Sequence, residues 1–185
     1  MVRIDSLSLI YAYGLPYRHI LLLARRVIMT GIVVLTRDEQ RILERYPAAV
    51  KFFPYMWWCP LGVDDMTADG ITLETLQWGV DGYIEAALDL PKLADLAHPV
   101  VFWANEEGIV KGLQFCPWQP AAAVEQGRGF FGNLVLCKRR DEDYASISLT
   151  LDEARSTISA DVWNTGYQAI KRIKEIHDED KRAGL

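Results

Sequence analysis

The sequence predicts an α+β fold: an antiparallel β-meander of four to five strands packed by N-terminal helices and a long C-terminal helix. Three observations predict it. Helix-start signals come early, at Thr36-Arg37-Asp38-Glu39 and at Thr72. Between Val100 and Leu151 the apolar runs shorten to strand length and are separated by turn residues. Helical spacing then returns over roughly Asp161–Asp178. Helices first, sheet next and a helix last describe a sheet covered on one face by helices.

Each element has a local reason. Thr36 and Glu39 form a capping-box pattern, so a helix is expected from Arg37 to Tyr46, stopping at Pro47. Lys51–Pro60 is the most aromatic stretch, and Pro54 and Pro60 argue for an irregular or edge element. Thr72 caps a second helix expected to reach Leu90, with Leu73, Leu76, Val80, Tyr83, Ile84, Ala87 and Leu88 on its apolar face. Gly79 and Gly82 weaken that helix by about 1 kcal/mol each, which fits close packing of another element there. Pro91 opens a short helix ending near His98. Val100–Ala104 and Ile109–Cys116 read as one hairpin, and Asn133–Arg139 with Tyr144–Leu151 as a second. Pro120–Gln126 is a helical turn closed by Gly127, and Ser156–Ala160 a further strand. The last helix buries Val162, Trp163, Tyr167, Ile170, Ile173 and Ile176, with its tail fraying from Glu179. Trp78, Trp103 and Trp163 are the tryptophans expected in the core.

The chain has 185 residues, 50% hydrophobic and 24% charged, with a formal net charge of −5. That composition is globular, and the length suits one domain. The charge is uneven. Residues 1–37 hold five arginines and one acid, Asp5, for a net +4, while the other 148 residues carry −9. Residues 1–28 therefore read as a basic apolar extension or packed helix, and residues 29–185 as a single acidic α+β domain opening on Met29 and a strand-like Ile-Val-Val-Leu run. The uncharged pieces Leu7–Tyr17 and Val27–Thr36 fall short of the ~20 residues that span a bilayer, so no membrane span is expected. Three cysteines, none in C-x-x-C spacing, point to reduced thiols and a cytoplasmic setting.

No motif identifies a chemistry. Asp65, Thr67, Asp69 and Gly70 fit the start of a calcium loop, but its twelfth position is Leu76 and not a bidentate glutamate, so no metal is expected. Cys59-Pro60 and Cys116-Pro117 resemble the dipeptides of regulatory haem sites. A buried thiol at a strand end, ended by the proline, is the preferred explanation, and no cofactor is expected. Lys138-Arg139-Arg140, beside Arg128, Phe130 and Phe131, is cancelled by Asp141-Glu142-Asp143, which argues against nucleic acid. Two function classes remain. The preferred one is a non-enzymatic protein-interaction module of inhibitor, immunity or adaptor type. It would dock Phe53, Tyr55, Trp57 and Trp58, ringed by Asp64, Asp65 and Asp69, onto a partner protein with a basic surface. The alternative is a small hydrolase whose cleft joins His98 and Cys116 with Glu106 or Glu107 orienting the imidazole.

Overall fold

Four nearly unbroken apolar runs, Ile32–Leu35, Met56–Cys59, Val100–Ala104 and Leu134–Cys137, form the middle of one sheet. A computed structural model describes residues 29–90, 98–140, 145–159 and 163–183. Its strands are β1 (Thr30–Leu35), β2 (Val50–Phe53), β3 (Met56–Pro60), β4 (Ile84–Leu90), β5 (Val100–Asn105), β6 (Trp118–Pro120), β7 (Leu134–Arg139), β8 (Ser146–Ile147), β9 (Leu149–Thr150) and β10 (Trp163–Thr165). Its helices are α1 (Glu39–Arg45), α2 (Leu73–Val80), α3 (Ala121–Val124), α4 (Leu151–Ser159) and α5 (Gly166–Ala183). The α+β class and the long C-terminal helix are as expected.

The topology differs from a meander. Among the described residues the main sheet has eight strands, with the path β2-β3-β1-β7-β5-β4 and antiparallel pairing throughout. β1 and β7 pair from Val33↔Leu136 to Leu35↔Leu134. Beyond that pairing β8 joins β7 and β9 joins β1, filling the gap between the two strands. β6 and β10 make a separate two-stranded ribbon.

Both faces of the sheet are covered, a correction to the one-sided expectation. Alternate residues divide cleanly. Val33, Leu35, Met56, Trp58, Phe102, Leu134 and Leu136 face a core closed by α3, α4 and the ribbon. Ile32, Val34, Trp57, Cys59, Val101, Val135 and Cys137 face a second core closed by α1 and α2. Unbroken apolar runs, as opposed to alternation, are the signature of strands buried on both sides. This burial also inverts the tryptophan expectation. Trp57 and Trp58 are 4% and 2% exposed, one in each core, whereas Trp78, Trp103 and Trp163 are only half-buried.

Of the two expected helix caps, one forms as expected and one is shifted. The Thr72 side chain accepts from the Thr75 N–H and caps α2. Asp38, not Thr36, caps α1, while the Thr36 hydroxyl accepts from the Asp38 N–H. α2 ends at Val80 instead of Leu90. Asp81 takes a left-handed conformation, Gly82 has φ of 154°, and the following residues pair with β5 as strand β4. Both edges of β5 are thus taken, by β4 and β7, so Ile109–Cys116 is excluded from the hairpin and forms turns that expose Ile109 and Val110. Residues Ser156–Ser159 belong to α4, not to a strand. The expected helix at Pro91, the Asp141-Glu142-Asp143 turn and the N-terminal extension lie outside the described residues. α5 starts five residues later than expected and runs through to Ala183, leaving Tyr167 81% and Ile170 42% exposed.

Asp65 ties α1 and α2 to the end of β3. Its carboxylate accepts from Arg45 at 2.7 Å, Thr75 Oγ1 at 2.9 Å, Tyr46 Oη at 3.1 Å and the Gly62 N–H at 2.9 Å. Burial pushes its pKa up, but the hydrogen bonds from Gly62, Arg45, Thr75 and Tyr46 outweigh it and hold the carboxyl below its ordinary value. Such a carboxylate stabilises the fold above the unfolded-state pKa, and the contribution is lost as pH falls through the folded value. Asp65→Asn turns an amide donor toward groups that already donate. It is expected to cost about 2 kcal/mol in urea unfolding at neutral pH. The gap to wild type should narrow only below about pH 4. Gly79 offers a second check, because a Cβ there would collide with Val135 Cγ2 in the sheet. Gly79→Ala should destabilise by about 1 kcal/mol, although helix propensity alone predicts a similar gain.

Candidate functional site

The residues predicted to form one docking surface are divided by β3. The Pro54-Tyr55 turn lies at the end where Met56 pairs with Leu35, and the acidic loop follows Pro60, which pairs with Gly31. The five-residue strand between them spans about 15 Å. Phe53 and Tyr55 are exposed, Trp57 and Trp58 are core, Asp64 and Asp69 are exposed at the far end, and Asp65 is committed to its buried cluster. The carboxylates therefore do not ring the aromatics.

The hydrolase cleft is not assembled either. His98 lies just before β5 and Glu106 and Glu107 just after it, so the strand holds them about 20 Å apart. Catalytic groups must nearly touch. Cys116 lies fully buried at the glutamate end of the sheet, and desolvation pushes its thiol pKa up to about 12. Burial likewise raises Cys137 to about 12 and Cys59 further. The two Cys-Pro dipeptides also belong to opposite cores, with Cys116 in one and Cys59 in the other. Among the described residues no group of three or more His, Cys, Asp and Glu side chains is arranged to hold a metal ion.

What the fold does assemble is an aromatic groove of about 450 Å³ built from four segments distant in sequence. Arg37 arrives from the end of β1, Pro54-Tyr55 from the β2–β3 turn, Phe115–Trp118 from the approach to β6, and Thr165–Ile170 from the start of α5. Hydrogen bonds tie these segments together. The Tyr55 carbonyl accepts from the Thr36 N–H at 2.9 Å, the Pro54 carbonyl from Trp118 Nε1 at 2.7 Å, and the Pro117 carbonyl from the Gly166 N–H at 2.8 Å. Thr165 and Gln168 reciprocally cap α5, since the Thr165 N–H donates to Gln168 Oε1 and the Gln168 N–H to Thr165 Oγ1. Beneath the wall, the buried Gln119 amide bonds the Cys116 and Phe130 carbonyls and the Phe130 N–H.

Two features mark the groove. Tyr55 sits at φ 70°, a left-handed conformation ordinarily taken by Gly or Asn at the second position of a turn after proline. A bulky residue there is strained, and strain of this kind concentrates at functional positions. The second feature is Arg37, whose guanidinium carbon lies 5.1 Å from the Tyr55 ring centroid. It also borders a smaller cleft of about 190 Å³ shared with Phe115 and Pro117. Of the groove residues, only Tyr55 was among the sequence candidates. The Thr165-x-x-Gln168 pattern was a readable signal for where α5 begins and hence for Tyr167 and Ile170 on its exposed first turns.

By architecture this is an α+β protein built around a mostly buried antiparallel sheet. The chain belongs to the family described as Domain of unknown function (DUF3846), which matches residues 62–160, more than half its length. No curated protein and no solved structure matches it. The matched segment contains β4 to β9, while β1, β2 and β3 of the same sheet come from residues before it. Among the described residues no helix is long and apolar enough to cross a membrane.

Burial and raised pKa keep the three thiols protonated at neutral pH. Native protein treated with iodoacetamide near pH 8 should therefore stay unmodified by mass spectrometry, and urea should expose all three cysteines to alkylation together.

Proposed function

We propose that this chain is a non-enzymatic protein-interaction module of inhibitor, immunity or adaptor type, with the aromatic groove as its docking surface. One observation carries the reading: Phe53, Tyr55, Tyr167 and Ile170 are large, exposed apolar side chains at or beside one groove whose walls are held by hydrogen bonds. Contiguous exposed apolar surface with a polar rim marks interaction sites, and a preformed groove loses little entropy on binding. The Tyr55 strain supports the same reading, because it keeps a ring at the surface at a cost in stability. A cytoplasmic setting belongs to the proposal and is supported by three free, buried thiols.

Tyr55→Gly separates binding from folding. Glycine relieves the left-handed conformation, so stability should hold or rise by up to about 1 kcal/mol while docking area is lost. In affinity capture from the native host, wild type should recover a partner that Tyr55→Gly and Tyr167→Ser do not, with neither variant less resistant to thermal unfolding than wild type. Recovery of the same proteins by all three would reject the groove as the docking surface.

A further inference from the structure

We infer that the groove receives an acidic segment of a partner protein, with Arg37 binding the carboxylate of an aspartate or glutamate and an apolar neighbour of that residue lying against Tyr55, Tyr167 and Ile170. The inference rests on the docking reading above and gives the partner's chemistry, which replaces the basic surface expected from the sequence because Asp64, Asp65 and Asp69 lie at the far end of β3 from the groove.

The local charge balance supports it. Each carboxylate near Arg37 is already engaged: Asp38 caps α1 through the Arg41 N–H, Glu39 pairs with Lys51 at 2.7 Å, and Asp81 pairs with Arg41 at 3.2 Å. Among the described residues none pairs with Arg37, whose ring contact is with Tyr55. A contact with a ring takes up no hydrogen-bond acceptor, so the guanidinium retains N–H donors for a carboxylate, which an arginine can bind through two parallel hydrogen bonds. The net charge of −5 opposes an acidic partner only weakly, because physiological salt screens charges beyond about 8 Å while the Arg37 contact is direct. A phosphorylated segment fits less well, since such groups are met by clusters of arginines. The chain's own first 28 residues, with four arginines and one acid, have the same sign as Arg37 and are not the expected occupant.

The test uses the labelled full chain and a bead library of short random peptides in which acidic, basic, polar and apolar residues are equally represented. Wild type should enrich peptides that set Asp or Glu beside an aromatic or branched aliphatic residue. Arg37→Gln should weaken a selected peptide about tenfold or more. Arg37→Glu should shift enrichment toward Lys and Arg. Wild-type selection without acidic preference, or an acidic preference unchanged in Arg37→Glu, would overturn the inference. The docking reading would survive that outcome if Tyr167→Ser still weakened binding. Wild-type dimerisation lost in Tyr167→Ser would instead assign the groove to a second copy and overturn the acidic-partner inference. No enrichment above Tyr167→Ser would overturn both readings.

Discussion

Burial of β1 on both faces is the constraint from which the rest follows. Ile32, Val33, Val34 and Leu35 are all at most 1% exposed, alternating between the two cores. A strand with no polar face has one stable position, the middle of a sheet with packing on each side. β3 and β7 therefore flank it, and β9 takes the part of its edge that β7 leaves open. Gly31 permits the close approach, since a Cβ there would collide with the Cys59 carbonyl and the Trp58 ring. The same strand delivers Thr36 and Arg37 to one end of the sheet, beside the β2–β3 turn.

That end of the sheet is where rigidity and exposure meet. The strands beneath are close-packed, and Gln119, Trp118 and the Thr165–Gln168 cap hold the covering segments in place. The groove is consequently a fixed shape built from residues that gain little from being there. Tyr55 holds a disfavoured backbone conformation, and Tyr167 and Ile170 lie exposed to water on α5. A fold optimised for stability alone would place glycine at position 55 and polar side chains at 167 and 170. The opposite end of the sheet is organised by charge, where Asp65 gathers Arg45, Tyr46 and Thr75. Trp78 links the two ends, with the guanidinium carbons of Arg41, from the groove end, and Arg45 lying 4.8 and 4.7 Å from its ring.

Where the structure departs from local sequence signals, a competing interaction decides. Thr150-Leu151-Asp152-Glu153 is a capping box: the Thr150 N–H donates to Glu153 and the Glu153 N–H to Thr150. It announces α4, but the alternation of Ile147, Leu149 and Leu151 favoured a strand continuing through it. Leu73 to Leu88 has helical spacing, yet strand pairing with β5 captures its second half once Asp81 and Gly82 turn the chain. Proximity in sequence also misled. Phe53 and Asp69 are only sixteen positions apart, which suggests one surface, but an extended strand between them puts them at opposite ends of the sheet. The same geometry separates His98 from Glu106.

Local sequence signals alone account for the α+β class, the start of α2 at Thr72, the stop of α1 before Pro47, the β5 and β7 runs, and the turn closed by Gly127. These follow from capping hydrogen bonds, restricted backbone angles and apolar periods, all of which act over a few residues. Only the tertiary structure decided the strand order, the covering of both sheet faces, the burial of Trp57 and Trp58, and the groove itself. Each of those depends on which distant segments exclude water from one another. Arg37, Tyr55, Trp118 and Tyr167 become neighbours because β1 occupies the centre of the sheet.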